Sequence, residues 1–249
     1  PKAQGKPRRD ARARVTPGLA LSLGLLAAFA VVIVAPGLVA VQSPYAIDPS
    51  RALLPPSATH LFGTDDVGRD VFARVIYGAR VTLGLVAGSL LLSALIGGGL
   101  GVVAGYAGGW FDLAAGRLAD MILTFPPIIA GVVITGVLGQ GAANLVLALA
   151  VVYLPTFFRI ARSGALSEAA RTYVEAARAL GFPEWHILLR QVVPNVLPLI
   201  VLQYVILFPL ALQIQAALGF LGLGAACLLY TSDAADDLLC VDLGGRRII

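Results

Sequence analysis

The sequence predicts an all-α bundle of membrane-spanning helices, and two observations carry that prediction. The first is composition: 13% of the 249 residues are charged, 58% are hydrophobic, and the mean hydropathy is +0.87. Soluble domains carry about a quarter charged residues. The second is the length of the uncharged runs. Residues 15–47, 81–111, 121–158 and 191–232 contain no Asp, Glu, Lys or Arg, and each run exceeds the roughly 20 residues that cross a bilayer core. The first run is also longer than the apolar core of a signal peptide, about 7–15 residues.

The elements follow in order. Lys2, Lys6, Arg8, Arg9, Arg12 and Arg14 make residues 1–16 a basic arm, which beside a first span at 17–41 reads as a topology signal and not as a nucleic-acid patch. Residues 42–80 form an external loop with four Arg and four Asp. Within it, Asp66 is expected to cap a short amphipathic helix with Val67, Val71, Val75 and Ile76 on one face, and Asp70 to pair with Arg74 at i,i+4. A second span is expected at 81–104. A third, at 113–138, should be kinked by Pro126-Pro127. The fourth and fifth are placed at 143–158 and 193–217, bent at Pro155 and Pro209. Gly97, Gly101 and Gly105, with Gly84 and Gly88 before them, suit close helix packing in lipid. With a cytoplasmic N-terminus, five spans put the arginine-rich segment 159–190 in the cytoplasm and the neutral loop outside, as the positive-inside rule requires.

That segment carries the most information. Thr172 and Glu175 have the spacing of a capping box, Gly181 suits the position just past a helix end, and Pro183 suits the start of another short helix. The enclosed helix has about eight residues, which is marginal alone in water. Tyr173, Ala176, Ala177 and Leu180 recur at i, i+3, i+4 and i+7 as one apolar face. Residue physics leaves two readings open: a helix lying back on its own bundle, or a knob that docks into a partner.

The run Glu175-Ala176-Ala177, then Gly181, then Val193-Pro194 resembles the EAA loop of binding-protein-dependent ABC importer permeases, with Val193 where Leu is usual. A second motif, His60-Leu61-Phe62-Gly63-Thr64-Asp65-Asp66-Val67-Gly68-Arg69-Asp70 with Arg74, Tyr77-Gly78 and Arg80 after it, resembles the peptide/nickel class of these permeases, second-permease type. Gly105-Tyr106, Phe125-Pro126 and the run 220–224 agree with it. The resemblance covers residues 15–224. It implies a type I importer permease with about five of six expected spans present, in a bacterial-type inner membrane with its N-terminus in the cytoplasm. It further implies a permease core at 81–224 whose EAA coupling loop, 159–192, contacts an ATPase through Thr172, Tyr173, Glu175, Ala176, Ala177, Leu180 and Gly181. Gly63, Thr64, Asp65, Gly68, Arg69 and Asp70 are the implied external-loop motif. The implied partners are a homologous permease, two cytoplasmic ATPase subunits, an external solute-binding protein and the lipid bilayer. The solutes carried within this class are dipeptides, longer peptides, glutathione and nickel complexes.

No GxxxxGK[ST] stretch is present, so ATP hydrolysis, with its ATP-Mg, is expected on the partner ATPase; this chain is expected to bind no cofactor and to catalyse nothing. His60 and His186 are expected on opposite sides of the membrane, and no metal site is expected. The alternative from another mechanistic class is an ion-coupled secondary transporter or channel subunit, which carries ionisable residues within its spans; here Asp112, Arg117 and Asp120 sit near the cytoplasmic end of the third span. A non-transporting scaffold is the third reading. After Gly224 the family pattern is expected to stop. Residues 225–249 hold both cysteines, Cys227 and Cys240, and four of the fourteen acids; they read as a non-native tail in place of a sixth span. Pro1 in the place of Met reads as an incomplete N-terminus.

Overall fold

The computed structural model describes residues 17–224. Helix α1 is Pro17–Val34, α2 is Val71–Ala107, α3 is Gly109–Leu123, α4 is Pro127–Leu138, α5 is Ala142–Ala169, α6 is Thr172–Ala179 and α7 is Glu184–Phe220. Short π-helical turns interrupt α2 at Ala94–Gly98 and α7 at Leu188–Val192. The basic arm and the tail fall outside the described residues.

Among those residues α2, α5 and α7 are each long and apolar enough to cross a bilayer. At 1.5 Å per residue the 37 residues of α2, like those of α7, reach about 55 Å, against a hydrocarbon core of about 30 Å, so their ends project into water. The second span was expected at 81–104 and the fifth at 193–217. Each is longer because a polar stretch extends the same helix without a break. Val71 therefore begins the second span itself, and no separate amphipathic helix precedes it. The fourth span likewise runs on past Phe158 to Ala169, with Pro155 inside it.

The third span is not one kinked helix. α3 and α4 meet at 92°. Two consecutive prolines are the reason: Pro126 holds an extended backbone (φ −55°, ψ 134°), forced by the proline after it, and Pro127 restarts the helix at its first position. Helix direction then decides what this pair does. Ser93 Oγ donates to the Ala150 carbonyl at 2.5 Å, and Gly97, Gly101 and Gly105 press on the carbonyls of Leu154, Phe158 and Arg162. Both helices advance by four at each step, so α2 and α5 are parallel, and the intervening α3–α4 pair must return the chain across the bilayer. It is a broken span, and with α2, α5 and α7 it brings the crossings to four. α1, with 18 uncharged residues, lies within the expected first span and is the remaining candidate to complete the five.

α7 runs antiparallel to both. Val196 and Leu199 pack on Gly164 near one end, the Tyr204 hydroxyl donates to the Ala87 carbonyl at 3.0 Å, and Leu218 sits on Gly131 at the other end. Val86, Leu90, Leu145, Leu149, Phe157 and Leu218 form the buried centre between α2, α5 and α7. The glycine reading holds for Gly97, Gly101 and Gly105. Gly84 and Gly88 face open space and pack on nothing among the described residues.

Candidate functional site

The candidate residues gather at the two ends of the bundle. The N-terminal ends of α2 and α5 mark one, which carries the 48–70 loop folded back on itself at the Thr64–Asp70 bridge (the hairpin end), and their C-terminal ends mark the α6 end.

At the α6 end, Arg171 occupies the N-cap position with extended backbone (φ −80°, ψ 143°) and offers no side-chain cap. Thr172 is the first helical residue, which moves Glu175 to the fourth helical position. The expected capping box does not form, because its carboxylate must stand at the third position to reach back. The C-terminus behaves as expected. Gly181 has φ +80°, its N–H donates to the Arg178 carbonyl at 2.9 Å, and the Phe182 N–H donates to the Ala177 carbonyl at 3.2 Å. This is the paired closure of a Schellman motif, which a side chain at Gly181 would strain.

The face that docks on the bundle also differs from the expected one. Val174 and Ala177 are buried among Ala161, Ala165, Ile187, Val192 and Val196. Of Tyr173, Ala176, Ala177 and Leu180, only Ala177 turns inward; the other three are exposed, Leu180 at 77%. The pattern was read one residue out of phase, since the i,i+3 pair Val174–Ala177 makes the contact. Phe182 and Trp185, both exposed, extend the outward apolar surface. Sequence reasoning missed them, although two aromatics just past a helix-ending glycine in a charged segment were the available signal. Thr172, Glu175 and Gly181 are exposed on the same helix and its cap.

Polar contacts fix this helix at both ends. The Tyr173 hydroxyl donates to Glu168 at 2.5 Å and accepts from Asn195 Nδ2 at 3.1 Å. Partial burial, with Glu168 beside it, holds that hydroxyl above its ordinary pKa, so it remains a neutral donor. At the other end Glu184 accepts from Arg178 at 3.0 Å and from the Tyr106 hydroxyl. Below, α3 is pinned to α5 by two ion pairs, Asp112 with Arg162 and Asp120 with Arg159. Together with Arg117, these four charges line a cleft of about 440 Å³.

At the hairpin end the motif residues turn inward. Asp65 accepts from the Val67 and Arg69 amides (3.1 and 2.8 Å), from Arg69 Nε at 2.8 Å, and from Arg74. Burial alone would raise the Asp65 pKa, but the Arg69 and Val67 hydrogen bonds outweigh it and hold the carboxyl below the usual range. Asp70, not Asp66, caps the following helix by accepting from the Ala73 amide at 2.7 Å, and its second oxygen meets His60 Nδ1 at 2.8 Å. The expected Asp70–Arg74 pair is replaced by Asp65–Arg74. The reason is the turn at Gly68 (φ +80°), which occupies 65–69 and delays the helix to Val71. Thr64 ties the motif to the upstream segment of the loop, donating to the Arg51 carbonyl and accepting from the Leu54 amide. Gly63 and Gly68 lie against the Leu54 and Asp48 carbonyls, where no side chain fits. Leu61, Phe62 and Asp66 are the exposed residues of this motif.

Parallel long helices joined by a broken span, a short docked helix at one end and a charge-knotted hairpin at the other define a multi-span bundle of the type I permease kind. The family model for the binding-protein-dependent transport system inner membrane component matches residues 97–232. The chain belongs to that family and is an integral inner-membrane protein. The match continues past Gly224, eight residues beyond the point where the sequence reading ended the resemblance. The chain is 40% identical over 178 residues to the dipeptide transport system permease protein DppC of Alkalihalophilus pseudofirmus, covering 72% of this chain and 59% of that protein. It is 39% identical over 188 residues to the probable D,D-dipeptide transport system permease protein DdpC of Escherichia coli (75% and 62%). It is 37% identical over 170 residues to the glutathione transport system permease protein GsiD of Pectobacterium atrosepticum (68% and 56%). The chain thus spans about three-fifths of the length of these relatives.

Proposed function

We propose that this chain forms half of the translocation pathway of an ATP-driven importer for peptides or a related small solute, and that α6 is its coupling helix. The α6 end is then cytoplasmic and the hairpin end external. A homologous permease would supply the other half. Two ATPase subunits would hold ATP-Mg, and an external binding protein would deliver solute. One observation carries the reading: a short helix, fixed to the bundle by Val174 and Ala177, leaves Tyr173, Ala176, Leu180, Phe182 and Trp185 exposed at one end of the bundle. An exposed apolar cluster of this kind marks an interaction surface, and the small Ala176 allows close approach. The names of the relatives, dipeptide and glutathione permeases, support the solute class. Arginines 159, 162, 171, 178 and 190 on this side support its cytoplasmic placement.

The test is disulfide crosslinking from Ala176→Cys to the cognate ATPase subunit, in the assembled complex. Ala176 is the appropriate position because Ala177 is buried. A crosslink whose yield changes with ATP is expected; a well-inserted chain that gives none with the ATPase present would overturn the reading.

A further inference from the structure

Three separate elements converge on one carboxylate at the α6 end. Tyr106 is the penultimate residue of α2, Arg178 lies in the last turn of α6, and Glu184 opens α7. Glu184 accepts the Tyr106 hydroxyl and is gripped by Arg178 through Nε at 3.0 and 3.3 Å and Nη2 at 3.3 Å. The Arg178 guanidinium also lies over the Tyr106 ring, 5.4 Å from its centroid, within cation–π range. None of the three groups is needed to close the helix ends, since the Schellman bonds of Gly181 and Phe182 already do that. Just before Tyr106, Gly105 presses on the Arg162 carbonyl of α5, so this end of α2 has no room to shift against its neighbour.

We propose that Tyr106, Arg178 and Glu184 are positioning residues that latch the α6–α7 turn to the end of α2 and hold the outward face of α6 in the orientation an ATPase subunit binds. The inference rests on the coupling-helix reading above. An eight-residue helix is marginal by itself, and Val174 with Ala177 anchors one side of it only. Without the latch, the turn carrying Leu180 and Phe182 samples other orientations, and apparent affinity falls with the fraction of competent molecules.

The experiment measures binding of the cognate ATPase subunit to the full chain in detergent, for Glu184→Gln, Tyr106→Phe, Arg178→Glu alone, the exchanged pair Arg178→Glu with Glu184→Arg, and Leu180→Asp. The pair is exposed and worth little by itself, so each single latch variant is expected to bind about threefold to fivefold more weakly. The exchanged pair is expected to recover most of the loss that Arg178→Glu alone produces, which a general packing defect would not do. Hydrogen exchange should quicken at 180–187 in Glu184→Gln and stay unchanged in α5. If Glu184→Gln and Tyr106→Phe bind like the parent while Leu180→Asp abolishes binding, the latch is overturned and the docking face stands. If Leu180→Asp leaves binding intact, the docking face itself falls.

Discussion

Gly101→Ala tests the parallel α2–α5 packing most directly. A Cβ at Gly101 meets the Phe158 carbonyl oxygen closer than real Cβ atoms come, the Phe158 carbonyl carbon at 3.0 Å, and Ala161 Cβ at 3.1 Å. Two of these are backbone atoms of a buried helix and have no rotamer to give way. The helices must therefore separate locally, by an amount that also loosens Gly97 on Leu154 and Gly105 on Arg162. Overpacking of this kind costs about 1–3 kcal/mol, against which Ala returns at most about 1 kcal/mol of helix propensity. Gly84→Ala is the internal control: nothing lies within 4 Å of its Cβ, so only the propensity gain operates. The propensity gain is common to both, so the two variants should differ by the overpacking cost, about 1–3 kcal/mol, in thermal unfolding of the purified chain, with Gly101→Ala the less stable and Gly84→Ala at or above the parent. Equal midpoints would refute the parallel register, and with it the inference that α3–α4 is a return crossing.

Other outcomes follow from single contacts. Tyr153 is buried and its hydroxyl has no hydrogen-bond partner among the described residues; Tyr153→Phe should be neutral or stabilising by about 1 kcal/mol in the same assay, and a large loss would reveal a partner elsewhere. Asp65→Asn removes the charge on which Arg69, Arg74 and two backbone amides converge and should cost the loop about 1–3 kcal/mol, read as faster proteolysis within residues 48–70. Because the folded Asp65 pKa is depressed, its contribution is present above the ordinary carboxylate range and is lost as pH falls through the folded value. The parent hairpin should therefore keep its protease resistance from pH 7 to 5 and lose it only below about pH 4. Gly181→Val puts a β-branched residue at φ +80° and should cost about 1–2 kcal/mol, seen as faster hydrogen exchange in α6.

What the sequence disclosed depended on the range of the interaction. Uncharged runs and turn glycines are local, and they located the bundle, the Gly181 cap and the 97–101–105 ridge. Helix ends set by hydrogen bonding were less legible. Asp66 and Asp70 both look like caps in the sequence, and only the turn at Gly68, closed by Asp65, selects the second. Thr172 and Glu175 match a capping box letter for letter, but one residue of phase removes it. The ion pairs Asp112–Arg162 and Asp120–Arg159 span 50 and 39 positions, so no window along the chain could find them. The inward turn of the hairpin motif was hidden for the same reason: its partners include the Arg51 and Leu54 backbone, which carry no side-chain signature.

The two ends of the molecule are joined by one mechanical element. Asp70 starts the helix that Tyr106 all but finishes, and between them the glycines hold it backbone against backbone on α5. Side-chain interfaces yield by changing rotamers; a glycine ridge against carbonyls has none to change, so α2 and α5 must move together or come apart. Any displacement imposed on α6 through Arg178, Glu184 and Tyr106 therefore enters the bundle along a pair that behaves as a single body through the bilayer. The Ala94–Gly98 π turn is the place where that body has spare hydrogen-bond geometry. The part free to move against it is α7, which meets α2 through side chains such as Ile200 on Gly98 and Tyr204 on Ala87, and which carries its own π turn where it leaves the latch. Beyond that turn, α7 is the element whose contacts with the α2–α5 pair can change by side-chain rotamers alone.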